Sequence, residues 1–188
     1  MSKSIDTLIR QRRSIFPPQY NGKPIERRII EQILENANWA PTHKLTEPWR
    51  FHVFESLAAR EKLSHFLSEY YTQNTPIELF SPIKQKKTKQ AALLSACAIA
   101  ICMQRNESLP EWEEIAAVSA AVQNMWLTAT AYGVGAYWAT LGAIHGIHDF
   151  LGLKTNERCL GFLYLGHTDL EIPDSKRSPI SEKTIWVD

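Results

Sequence analysis

No charge of either sign predominates in this chain. Twenty-one lysines and arginines face twenty aspartates and glutamates, a formal net charge of +1. The clear basic excess that marks a dedicated nucleic-acid binder is missing. Cysteine is scarce and odd in number, so Cys97, Cys102 and Cys159 do not compose a closed disulfide framework. Cys97 and Cys102 lie in an apolar run, where a free thiol packs as a small hydrophobe. The reading is reduced core cysteines in a cytoplasmic protein. No apolar stretch approaches the ~20 residues needed to cross a bilayer. The first twenty residues carry Arg10, Arg12 and Arg13 but no apolar block of the signal-peptide kind. Neither a membrane nor a nucleic acid is expected as a partner.

Several catalytic signatures are missing too. Gly133-x-Gly135 begins like a dinucleotide fingerprint, but Trp138 stands where the third glycine belongs. The turn also follows a helix and precedes a strand, the reverse of the required order. There is no Gly-x-Ser-x-Gly and no phosphate loop. His145 and His148, beside Asp149, lack the third convergent ligand a metal needs, and they read as surface residues with no metal. No carboxylate pair suits acid–base work. With no repeat and no linker, residues 1–188 form one domain. That length buries roughly 70% of the unfolded chain's surface, enough to fold without staples.

What is present is organised around 111–142. Ile115, Val118, Val122, Met125, Ala129 and Tyr132 recur at steps of three and four, which places them on one helical face. Trp112, Ala116, Ala120, Leu127 and Ala131 make a second apolar face. A helix apolar on two sides is buried in its domain or shared with a second subunit. Gly133 ends it, as a residue that tolerates a left-handed turn, and 136–141 follows as a strand. Upstream, a short helix runs over 4–13. A second helix starts with Pro24 in its first turn and stops near Trp39. A strand over 50–55 and a helix over 56–73 come next.

Residues 74–92, with Pro76, Pro82 and four lysines, read as a solvated, irregular segment or lid. The run 96–103 reads as a buried strand. Ser108 and Glu111 are spaced as a capping box for the central helix. After it come a short helix over 144–151 and a doubly buried strand over 158–166. Thr184 to Val187 reads as an orphan strand that pairs elsewhere, in another subunit for example. Imperfect alternation of strands and helices favours α+β layers over a doubly wound sheet.

Two clusters carry chemistry. Arg12-Arg13-Ser14 at a helix end offers guanidinium forks and a hydroxyl suited to phosphate. The loop Ala40-Pro41-Thr42-His43-Lys44, running to Pro48-Trp49, is a proline-stiffened turn rich in donors. In this order, and with Gly133-Val134-Gly135-Ala136-Tyr137-Trp138 and Gly161-Phe162-Leu163-Tyr164-Leu165-Gly166, the two clusters resemble the nitroreductase family of flavoproteins, in its small single-domain bacterial branch.

The resemblance implies a three-layer α+β fold with a central mixed or antiparallel sheet. It also implies a homodimer that exchanges its C-terminal strand and holds FMN at the subunit interface. By that match Arg12, Arg13 and Ser14 hold the flavin's phosphate and pyrimidine edge. Trp39 and His43 approach from the partner chain. Trp138, Ala139 and Thr140 lie along the ring, and Lys176 and Arg177 grip the phosphate. The implied activity is transfer of hydride from NADH or NADPH through FMN to a nitroaromatic, quinone or similar small acceptor. The alternatives are a dehydrogenase or dehalogenase on the same scaffold, and a non-catalytic flavin- or ligand-binding protein. Leu45, Glu47 and Ala139 stand where many members carry Asn, Gln and Arg.

Overall fold

The computed structural model describes residues 4–187. Its element order is α1 (Ile5–Gln11), α2 (Arg27–Ala37), β1 (Trp49–Phe54), α3 (Leu57–Asn74), α4 (Pro82–Leu94), β2 (Cys97–Gln104), α5 (Glu111–Ala131), β3 (Gly135–Ala139), α6 (His148–Leu151) and β4 (Glu157–Gly166). Short 3-10 turns lie between several of them. The four strands form one sheet in the order β1-β2-β4-β3, and every pairing between them is antiparallel.

Side-chain alternation in β2 builds three layers. Ile99, Ile101 and Met103 face α2 and α5, packing with Ile29, Ile33, Val118, Val122 and Met125. Ala98, Ala100 and Cys102 face the other way, with Leu63 and Leu67 of α3 and Ala92 of α4. Both faces are covered, so β2 is buried along nearly its whole length. This is the continuous apolar run of a strand with no wet side. Each fully buried Ile or Leu contributes roughly 1.5–3 kcal/mol.

The α+β, three-layer expectation holds, but several local readings change. Residues 74–92 are largely helical, because Ser81 caps α4 by accepting from Lys84 N and Pro82 takes the first helical position, where its missing N–H costs nothing. Pro24 lies ahead of α2 rather than inside it. The proposed Ser108–Glu111 box is absent. Instead Asn106 Oδ1 accepts from Ser108 N and Oγ, while the buried Glu114 carboxylate accepts from Asn106 N at 3.0 Å and from Arg105 at 2.6 Å. A charge buried this deeply survives because it is paired and hydrogen-bonded. Residues 144–151 split into a 3-10 turn and the four-residue α6. Thr184 to Val187 make no strand within the chain, and Ile185, Trp186 and Val187 stay exposed.

Between β2 and β4 the register slips, so that Ile101 opposes Gly161 and Cys102 opposes Cys159. Leu160 is the extra residue of this bulge. Gly161 has φ +135°, and a Cβ there would lie 2.5 Å from the Ala139 carbonyl oxygen and 2.7 Å from Trp138 Nε1. The glycine is what lets β3 lie close at this point. Gly161→Ala is therefore expected to lower the unfolding free energy by about 2 kcal/mol or more, read as a reduced urea midpoint with an unchanged slope.

Candidate functional site

The Arg-Arg-Ser corner is fixed from two sides. Ile15 N donates to Ala136 O at 3.0 Å, which ties the segment to β3. Trp126 Nε1 of α5 donates to Arg13 O at 3.0 Å. The Arg12 guanidinium lies 4.5 Å above the Trp126 ring, a cation–π arrangement. Among the described residues no carboxylate pairs with Arg12. Burial pulls its pKa down, and the nearby cations Arg177 and then Arg13 pull it further. Three like charges in one partly buried corner disfavour one another, and an anion relieves them.

The two arginines do different work. Arg13 donates to the carbonyls of Pro173 at 3.1 Å and Arg12 at 2.9 Å. It also reaches Arg10 O and the Asp174 carboxylate. Arg13 thus clamps the C-terminal segment, and this brings Arg177 toward Arg12. Lys176 is exposed, and its carbonyl accepts from Arg177 at 2.8 Å. Ser14 is exposed beside the same corner.

Two residues beyond Ser14, Phe16 begins the wall of a cleft of about 390 Å³. Phe16, Pro17 and Pro18 form one side, Ala139 and Leu141 another, and Lys84, Lys87 and Gln90 of α4 a third. Phe16 packs on Tyr137 with ring centroids 4.5 Å apart. No carboxylate lines the cleft. Tyr164 also lines it, and its buried hydroxyl has no hydrogen-bond partner. An unpaired buried hydroxyl costs about 1–3 kcal/mol unless a ligand or water satisfies it. A second cavity of about 370 Å³ adjoins this one, sharing Lys84, Thr88 and Leu141 and adding Thr140.

Trp138 turns to the α2/α5 face of the sheet, and its buried Nε1 also lacks a partner. Ala139 and Thr140 line the two cavities. Trp39 and His43 lie elsewhere. Trp39 is 78% exposed and donates to Glu35 at 3.0 Å. His43 Nδ1 contacts the Glu113 carboxylate in the first turn of α5. Glu113 and Trp126 are thirteen positions apart, about 20 Å along a helix. Within one chain, His43 and Arg12 therefore sit near opposite ends of α5.

The loop around His43 is unusual. Lys44, Leu45 and Glu47 all have positive φ, at 50°, 54° and 43°. The Thr42 and Thr46 hydroxyls brace it at 3.1 Å, and Thr42 Oγ1 accepts from Glu47 N at 3.2 Å. Leu45 is 80% exposed.

Sequence reasoning missed Lys84, Lys87 and Gln90 because their segment read as irregular. The signal was present in Ser81-Pro82, a cap followed by a first-turn proline. It places 84, 87 and 91 at helical spacing on one face.

The pattern that describes the Nitroreductase family matches residues 9–167 of this chain. Among curated relatives, Bacillus subtilis YfhC, whose name assigns it provisionally to the NAD(P)H nitroreductases, is 28% identical over 179 residues, spanning 94% of this chain and 90% of its own length. A solved nitroreductase-like family protein from Bacillus cereus superimposes with a TM-score of 0.83 at 26% identity, over 100% of this chain and 98% of that one. A Desulfovibrio desulfuricans protein crystallised in complex with FMN gives 0.78 at 23% identity, over 100% and 99%, a likeness of fold.

The cationic corner makes a prediction for the protein stripped of any bound cofactor. Inorganic phosphate at about ten times its dissociation constant, compared with chloride at equal ionic strength, should raise the thermal midpoint by about 3–5 °C. Arg12→Met should abolish that rise, as read by differential scanning fluorimetry.

Proposed function

The chain belongs to the nitroreductase family, and from that premise we propose that it is an FMN-dependent oxidoreductase working as a homodimer. The reaction is transfer of hydride from NADH or NADPH and onward reduction of a nitroaromatic, quinone or similar electron-poor acceptor. The observation that carries this reading is Arg12, beside Arg177 and without a carboxylate partner among the described residues, together with a carboxylate-free cleft with an orphaned phenol.

The residues present fit an FMN. Arg12 and Arg177 would take its phosphate, with Ser14 and Lys176 beside them and Arg13 holding the segment that carries Arg177. Phe16, Pro17, Ala139 and Leu141 would exclude water from a planar ring. Gln90 supplies an amide and Tyr164 a hydroxyl for the ring's polar edge. Lys84 and Lys87 create a positive field that favours a reduced, anionic ring. When bound, FMN supplies the electron chemistry, taking hydride from the nicotinamide and yielding electrons to the acceptor. This accounts for a site without an acid–base dyad.

The dimer reading is supported by surface the single chain leaves open. Trp112, at the start of the second apolar face of α5, is 69% exposed. Trp39, Leu45 and the residues Ile185, Trp186 and Val187 are exposed as well. A second copy would bring its own Trp39 and His43 to the cleft, which the span of α5 denies to the first. Leu45 and Ala139 remove two polar contacts found in many members, and Ala139 instead adds to the apolar wall.

The purified protein is expected to be yellow, with FMN released on denaturation. Anaerobic NADH or NADPH should bleach its visible absorbance, and a nitroaromatic should restore it. A yellow sample that neither nicotinamide bleaches would favour a non-catalytic flavin binder, and a colourless one that takes up no FMN would sink the reading. Light scattering should give about twice the chain mass, and removal of residues 184–188 should lower the dimer's stability to dilution by tenfold or more, about 1.4 kcal/mol.

A further inference from the structure

The three cysteines are not equivalent. Cys97 packs in the α2/α5 layer, whereas Cys102 and Cys159 both lie in the α3/α4 layer and face each other at the bulge between β2 and β4. Antiparallel partners have Cα atoms about 4.5–5.5 Å apart, inside the ~4.4–6.8 Å window of a disulfide. The two side chains act on each other's ionisation: the neighbouring Cys102 holds the Cys159 thiol below its ordinary pKa, and Cys159 together with burial pushes Cys102 up. Cys159 Sγ in turn donates to Gly161 O at 3.5 Å.

Cys159 also borders a cavity of about 350 Å³, lined among others by His145, His148, Arg158 and Leu160. The two histidines are exposed at its mouth. The groups ascribed to flavin binding above lie outside this lining. The redox assignment is therefore independent of the proposed function. Cys97 lines none of the cavities described, and burial raises its pKa to about 12.

We propose that Cys102 and Cys159 form an oxidisable dithiol, converted to an intramolecular disulfide by a small hydroperoxide that enters through the cavity at Cys159. The Cys159 sulfur attacks one peroxide oxygen, the O–O bond breaks, and an alcohol leaves with the thiol's proton. The resulting sulfenic acid is attacked by Cys102 Sγ. The S–S bond forms, the S–O bond breaks, and water leaves with the Cys102 proton. The two thiols together lose two electrons and the hydroperoxide gains them.

The test uses the full-length native protein and tert-butyl hydroperoxide in small molar excess. After alkylation under denaturing conditions, non-reducing peptide mapping should show a Cys102–Cys159 link with a mass loss of about 2 Da and an alkylated Cys97. Two of three titratable thiols should vanish and return with reductant. Three intact thiols, a Cys159 sulfinic acid without a link, or a link between two chains would each overturn the proposal. Cys159→Ser should keep both remaining thiols under the same treatment. A Cys97–Cys102 disulfide in that variant would count against the assigned geometry, because these side chains lie on opposite faces of the sheet.

Discussion

Every layer of this protein rests on the antiparallel ladder between β2 and β4. Away from its Gln104 and Glu157–Arg158 end its residues are mostly buried, so the backbone polar groups there have no water to turn to and must pair across the ladder. This fixes register tightly, because a slip by one residue would exchange the side chains of the two faces. The single permitted irregularity is the bulge at Leu160. There Gly161, rather than a larger residue, lets the Ala139 carbonyl and the Trp138 indole come close. The position of β3, and with it one wall of the cleft, follows from that local defect.

The charge arrangement at the first helix makes sense only beside this frame. A guanidinium held partly out of water, without a carboxylate partner among the described residues and near two further cations, destabilises the folded chain when nothing occupies the corner. Arg13 shows the contrast. Its fork is satisfied by main-chain oxygens, so it stabilises the placement of the C-terminal segment. Adjacent residues of identical type therefore differ in their partners, one bound to main-chain oxygens and one stacked on Trp126. The chemistry expected of the cleft follows the same division. The protein supplies shape, dryness and positive potential, and a bound flavin would supply the redox step.

Much of this was legible beforehand because burial writes periodicities. Val118, Val122, Met125 and Ala129 of α5, the unbroken apolar run of β2 and the left-handed Gly133 appear as read, whereas Tyr132 lies past the helix end and is exposed. The errors cluster where one residue type has two meanings. Pro82 was read as a breaker, yet at the first helical position it begins α4, and the cleft lysines went unseen with it. Ser108 offered itself as a cap, but Asn106 and the buried Glu114 had already engaged the neighbouring amides. That contest is settled by Arg105, whose pairing with Glu114 no local spacing encodes. The terminal apolar stretch pairs with no strand among the described residues. The Arg12–Trp126 contact likewise joins distant parts of the sequence, as does the pairing of Cys102 with Cys159.

The loop that carries Lys44, Leu45 and Glu47 has one further consequence. Left-handed backbone at a residue other than glycine costs roughly 1–2 kcal/mol, and three such residues lie within four positions. Flanking prolines and the threonine braces hold the segment there. Its disorder is therefore surrendered during folding and not at the moment of encounter. Whatever settles on Leu45 meets a rigid die already cut to shape, and the association loses little conformational freedom in closing.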